Sequence, residues 1–255
     1  MNINQNIVRI RTSKQIGSGI IYPCETNKKF NYKPSYIILT NRHLVEGLIG
    51  IDNNKDLKKM IDFDIYDQDG QLISNEMIED VSLFTNKNAA DNIEDIVAFM
   101  IILNAKVKID LVTKIMWSEP EENIIFMQGF PKILYDNEVS SKIQLQGESK
   151  EIFPVNKKFG IFQISDDYHW YSNIKDLFLF QGFSGGPVFN KKNNTVYILG
   201  LNKSILDIDN GENPFKLLYF YKINFVLQYL REHGCIIYRR NEDESVSIRW
   251  LNYEK

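Results

Sequence analysis

The stretch QGFSGGPVFN, at 181–190, sets a serine among three glycines with a proline close behind. A serine hydroxyl is a poor nucleophile at neutral pH. It attacks a carbonyl only when a neighbouring imidazole or similar base takes its proton, and a carboxylate behind the imidazole fixes the working tautomer. Ser184 is therefore either an activated nucleophile or an ordinary turn serine, and the rest of the chain must supply the base and the acid. Three histidines are present, His43, His169 and His233.

GFSGG also satisfies G-x-S-x-G, the nucleophile elbow of the α/β-hydrolases, which requires a helix directly after the serine and then an acid and a histidine further on. Here Gly185, Gly186 and Pro187 follow, and VFNKKNNTVYILGL reads as strand, polar turn, strand. The only histidine downstream is His233, at the end of an expected helix. Upstream, by contrast, His43 and two candidate acids, Asp80 and Asp95, precede the serine in the order His, Asp, Ser.

The elements around these residues are mostly short β runs bounded by turn signals. They are GSGIIYP, SYIILT, FDIYDQDGQLI, DIVAFMIIL, NIIFMQGFP, SSKIQLQGE, FGIFQI, GGPVFN, TVYILGL and LLYFYKI. Asp69-Gly70 marks a hairpin, because Asp-Gly accepts the positive φ of a two-residue loop. Such spacing predicts an all-β barrel or sandwich. One helix stands out, NFVLQYLREHG, with Asn224 as cap, Phe225, Leu227 and Leu230 as its apolar face and Gly234 closing it. Beyond it, CIIYRR and SVSIRWL flank NEDE as a terminal hairpin. The acidic turn DIDNGE, at 207–212, lacks the ligand ladder of a calcium loop and reads as a solvated hairpin loop.

Four pieces in order, GSGII (17–21), LTNRHLV (39–45), EDIVAF (94–99) and QGFSGGP (181–187), resemble the successive catalytic blocks of the trypsin-like (chymotrypsin-fold) serine peptidases. FMQGFP (126–131) is similar to a Gly-aromatic-Pro turn of bacterial members. The resemblance implies two six-stranded antiparallel β-barrels, about 1–110 and 111–233 with the helix, followed by the extra hairpin at 234–255. It also implies a serine endopeptidase with His43 as base, Asp95 as orienting acid and Ser184 as nucleophile. The amides of Gly182 and Ser184 would form the oxyanion hole. Asp80, in IEDVSLF, is the alternative acid. Asp95 is preferred on order, since a strand over 77–84 belongs between the FDIYDQDGQLI hairpin and the aspartate block. Phe178, six residues before the serine, and Phe180 would line the primary pocket and disfavour a lysine or arginine side chain.

Two residues depart from secreted members of that family. Phe183 replaces the aspartate that pairs with a new N-terminus on zymogen cleavage, and Leu44 replaces a disulfide cysteine. Both resemble intracellular bacterial members, some encoded beside antiphage defence genes. The resemblance thus implies a regulated cytoplasmic protease acting on proteins or peptides, with a possible regulatory partner, or a silent peptide-binding domain on the same fold.

Composition bounds these readings. The 255 residues carry 30 Lys and Arg against 33 Asp and Glu, interspersed and with a net charge of -3, so no electrostatic footprint for nucleic acid is expected. No apolar run is long enough for a membrane span, and the polar start, MNINQNIVRIRTSKQ, is unlike a secretory signal. Cys24 and Cys235 are expected to be buried free thiols, in keeping with a reducing compartment. Scattered histidines predict no metal site, His169 and His233 read as structural or surface, and no cofactor is expected.

Overall fold

The structure is a computed structural model that describes residues 7–25, 33–51, 53–67, 71–84, 94–107, 109, 113–116, 124–130, 143–150, 156–165, 182–192, 195–205 and 217–251. Two curled sheets make up most of it. The first contains β1 (Ile7–Thr12), β2 (Ile16–Glu25), β3 (Ser35–Thr40), β4 (Ile61–Tyr66), β5 (Leu72–Ile73), β6 (Ile78–Phe84) and β7 (Val97–Leu103), hydrogen-bonded in the order β5-β4-β1-β2-β3-β7-β6. The second contains β8 (Thr113–Ile115), β9 (Ile124–Gly129), β10 (Ile143–Lys150), β11 (Phe159–Ile164), β12 (Pro187–Lys192), β13 (Thr195–Ile205) and β14 (Leu217–Lys222). Its order is β12-β9-β10-β11-β14-β13-β8, and a further β12–β13 ladder closes six of these strands into a barrel. The all-β, two-barrel expectation holds. The second barrel closes through its own ladders, and the first is a strongly curled sheet.

Each sheet buries its inner face as the alternation of side chains along a strand requires. Phe63, Phe99, Ile101 and Leu103 fill the first, and Ile125, Met127, Leu145 and Phe162 fill the second. A third apolar cluster joins the sheets, with Ile37, Leu39 and Ala98 from one side against Leu201, Tyr221 and the C-terminal elements. Strand β1 was not among the expected runs, because Arg9 and Arg11 interrupt its apolar pattern. Both guanidiniums bind Asp64, which lies opposite Arg9 on β4 and is only 2% exposed. Helix α1 (Asn54–Met60) was also unforeseen; Leu57 is its only buried residue, so it has no apolar stripe to read.

The C-terminal helix α2 spans Ile223–Glu232. Lys222, not Asn224, occupies the N-cap, with no side-chain cap bond. The helix grows directly out of β14, so the strand's last residue sets its start and Asn224 lies one residue inside. Its end is as expected: Gly234 takes φ +71 and Cys235 N–H donates to the Leu230 carbonyl at 2.8 Å. The hairpin of β15 (Ile236–Arg240) and β16 (Val246–Trp250) follows. It adds β16 alongside β2 in parallel, and its apolar side, Ile236, Val246, Ile248 and Trp250, is buried in the cluster between the sheets. The hairpin thus covers a sheet edge. No helix of the described residues is long and apolar enough to cross a membrane.

Both cysteines are buried free thiols in that same cluster. Burial pushes Cys24 up from 9.0 to about 11, and Cys235 well above its usual value. The unfolded chain therefore loses these protons first as pH rises. The stabilisation is complete below the unfolded value and is lost between it and the folded one. Thermal unfolding should show Tm falling from about pH 9 to about 11, less steeply in Cys24→Ala. An identical slope in the variant would exclude the thiol as the cause.

Candidate active site

Strands β3 and β7 are antiparallel neighbours with Thr40 opposite Val97, so the C-terminal end of one and the N-terminal end of the other leave the sheet together. That topology brings His43 and Asp95 side by side. His43 lies on the 3-10 helix Arg42–Leu48 just past β3, and Asp95 lies in the bend before β7. His43 Nδ1 is 2.8 Å from Asp95 Oδ2, and the His43 backbone N–H donates to Asp95 Oδ1 at 2.9 Å. A carboxylate only accepts, so Nδ1 is the donor of this contact, and in the neutral tautomer that it selects Nε2 is the acceptor. Asn41 Nδ2 donates to the Asp95 carbonyl at 2.9 Å. Asp80 lies elsewhere, where its Oδ2 accepts from Asn54 Nδ2 at 3.3 Å on the exposed side of β6.

Ser184 sits on the turn before β12, at the junction of the sheets. Its carbonyl accepts from Ser18 N–H at 2.9 Å, and Gly185 N–H donates to the Asn202 carbonyl at 3.0 Å. The glycines are dictated by contact. A Cβ on Gly185 would lie 2.3 Å from both the Ser18 carbonyl and Thr40 Oγ1, and one on Gly186 would lie 2.1 Å from the Gln128 carbonyl. Gly182 has φ +99, a conformation that disfavours any side chain. Among the described residues neither the Gly182 nor the Ser184 N–H meets an acceptor, so both are available to a developing negative charge. Phe183 is 2% exposed and packs on Gly129 within the second barrel. The turn is anchored by that ring and by hydrogen bonds from both sheets.

His43, Leu44, Gly182 and Ser184 open on one cleft of about 470 Å³, walled by the β1–β2 turn over 12–16 with Lys14 and Gln15. No hydrogen bond joins Ser184 Oγ to His43 in this structure. Such bonds often tighten only when substrate binds.

By sequence, no family model and no curated protein matches this chain. By structure, the Rv3671c protease in its inactive form matches with a TM-score of 0.51 at 13% identity, over 91% of this chain and 90% of that one. Deg5 matches with a TM-score of 0.51 at 17% identity, over 91% of each. Both are trypsin-like serine proteases. The fold is the trypsin-like one. At such low identity the likeness is one of fold alone.

Within the trypsin-like fold, the expected His43, Asp95 and Ser184 are brought to one place, as are the amides of Gly182 and Ser184. Phe178, Phe180 and His169 lie outside the described residues, as do Asp69, Gly70 and the acidic turn at 207–212. His233 caps the end of α2, its Nδ1 2.7 Å from the Tyr229 carbonyl. One important residue was not foreseen in its role. Ser18, 0% exposed, donates Oγ–H to the Gly182 carbonyl at 2.5 Å and accepts from Phe130 N–H at 3.1 Å. It thereby fixes the peptide that follows Gly182. A serine between two glycines inside an otherwise apolar strand, GSGII, was the available signal.

Proposed function

We propose that the protein is a serine endopeptidase in which His43 Nε2 takes the proton of Ser184 Oγ as that oxygen attacks a peptide carbonyl carbon. The oxyanion of the tetrahedral intermediate accepts from the Gly182 and Ser184 amides, donors of the kind that contribute about 3 kcal/mol each in other enzymes. The carbon–nitrogen bond then breaks, His43 returns its proton to the leaving amine, and an acyl ester on Ser184 remains. Water, deprotonated by the same imidazole, hydrolyses the ester and regenerates the serine. Asp95 holds the Nδ1–H tautomer and stabilises the imidazolium.

The two-point contact of Asp95 with His43, at the edge of the cleft that Ser184 enters, carries this reading. Phe183 leaves no carboxylate at the position where an N-terminal ammonium would switch on a secreted relative. Narrow specificity or a partner is the restraint this reading favours, in a bacterial cell and with antiphage defence as the role the resemblance suggests. The missing Ser184–His43 hydrogen bond favours a second reading, a peptide-binding domain without turnover. A fluorophosphonate probe separates the two, because it reacts with an activated serine of any specificity. The peptidase reading expects a single adduct on Ser184, lost in His43→Ala. Unmodified Ser184 after prolonged exposure would support the binding domain.

A further inference from the structure

Asp95 belongs to the first sheet, yet its main chain is held from the second. Its N–H points to the hydroxyl of Tyr221 on β14 at 3.3 Å, and that hydroxyl is 3.2 Å from Glu94 Oε2. A carboxylate cannot donate, so the phenol proton goes to Glu94 and the phenol oxygen accepts from Asp95; only this polarity satisfies all three groups. The other Glu94 oxygen pairs with Lys158 Nζ at 2.5 Å. Lys158 immediately precedes β11, where its carbonyl accepts from Lys222 N–H on β14 at 3.0 Å. Its ammonium lies 4.8 Å above the Phe159 ring and 5.5 Å from that of Phe225.

Tyr221 is 1% exposed, its ring stacked on Phe225 at 6.0 Å and close to Phe159 at 5.1 Å. Burial and the Glu94 carboxylate raise its phenol well above the usual range, so the hydroxyl keeps the proton it donates. Asp95 is fixed on its other side by Asn41 and by the His43 amide. Its carboxylate therefore has a defined position only if both sheets hold their places.

We infer that Tyr221, oriented by Glu94 and Lys158, is a positioning residue that aligns Asp95 with His43 across the junction of the two sheets. The inference rests on the proposed role of Asp95 and adds to it the means by which the second sheet sets the geometry of the His–Asp pair carried by the first. Among the described residues Tyr221 makes no hydrogen bond to His43 or Ser184 and does not line the cleft, so it acts on catalysis through Asp95 and leaves substrate binding unchanged.

The test uses the full chain and a peptide or ester substrate. Tyr221→Phe keeps the stacked ring and removes only the hydroxyl. It should lower kcat about tenfold with KM within about twofold, since small misalignments of a catalytic group are costly. In an Asp95→Asn background the same change should cost nothing further, because a positioning residue has no effect once the group it positions is disabled. Glu94→Gln, on a partly exposed side chain, is the companion variant should Tyr221→Phe fold poorly. It should lower kcat about threefold at unchanged KM, with the same loss of effect beside Asp95→Asn. An unaltered kcat in a folded variant, or losses that add to that of Asp95→Asn, would overturn the inference. If Asp95→Asn is itself fully active, the proposed triad falls first and this inference with it. If Asp95→Asn is inactive and Tyr221→Phe and Glu94→Gln are not, this inference alone falls.

Discussion

Ser184→Ala is expected to lower peptide hydrolysis by about five to six orders of magnitude, to the level left by binding and oxyanion contacts alone. In the proposed mechanism this hydroxyl supplies the bond of the acyl intermediate. The loss is expected without unfolding. Ser184 is held through its backbone, with its carbonyl accepting from Ser18 N–H at 2.9 Å, and among the described residues Oγ makes no hydrogen bond that alanine would break. A Tm equal to that of the parent, measured alongside turnover, separates chemistry from folding. Turnover surviving in the purified variant at a tenth of the parent rate or more would refute Ser184 as nucleophile. His43→Ala should fall by a similar factor, and the double variant no further, because the base has no function without the nucleophile.

The second large effect concerns the acid. Asp95→Asn preserves shape but reverses a proton. The His43 backbone N–H claims the one remaining oxygen, as it now claims Asp95 Oδ1, and this turns the amide NH₂ toward Nδ1. Nδ1 must then accept, the ring proton moves to Nε2, and the nitrogen facing the serine can no longer take its proton. The same reversal in a well-studied triad lowers kcat by about 10⁴, and a comparable loss is expected here. Asp80→Asn, on a carboxylate whose contact is to exposed Asn54, should stay within about twofold of the parent. Comparing the two variants at saturating substrate decides the assignment. A large loss in Asp80→Asn with Asp95→Asn intact would transfer the role.

The sequence by itself determined the class of fold and the order of the site. Many short β-like runs bounded by turn signals pointed to strands, and those without alternation, such as Ser35–Thr40 and Val97–Leu103, are buried along their whole length. His43, Asp95 and Ser184 stood out through the resemblance of four ordered blocks to those of the trypsin-like peptidases, and only the glycines beside the serine have a backbone reason of their own. Gly185, for example, faces a carbonyl 2.3 Å from where its Cβ would be, which no other residue tolerates. The choice of Asp95 over Asp80 rested on strand order, and the reason it is the better candidate is a pairing: β3 and β7 meet with Thr40 opposite Val97 and leave the sheet at one end. Strand β1 was illegible because its arginines look like surface residues until buried Asp64 is placed beside them. Ser18 and Tyr221 lie 164 and 126 residues from the partners they hold, Gly182 and Asp95. No local pattern encodes so distant a contact. It arises only when the two sheets bury a common apolar face, and that burial decided which polar groups meet at the junction.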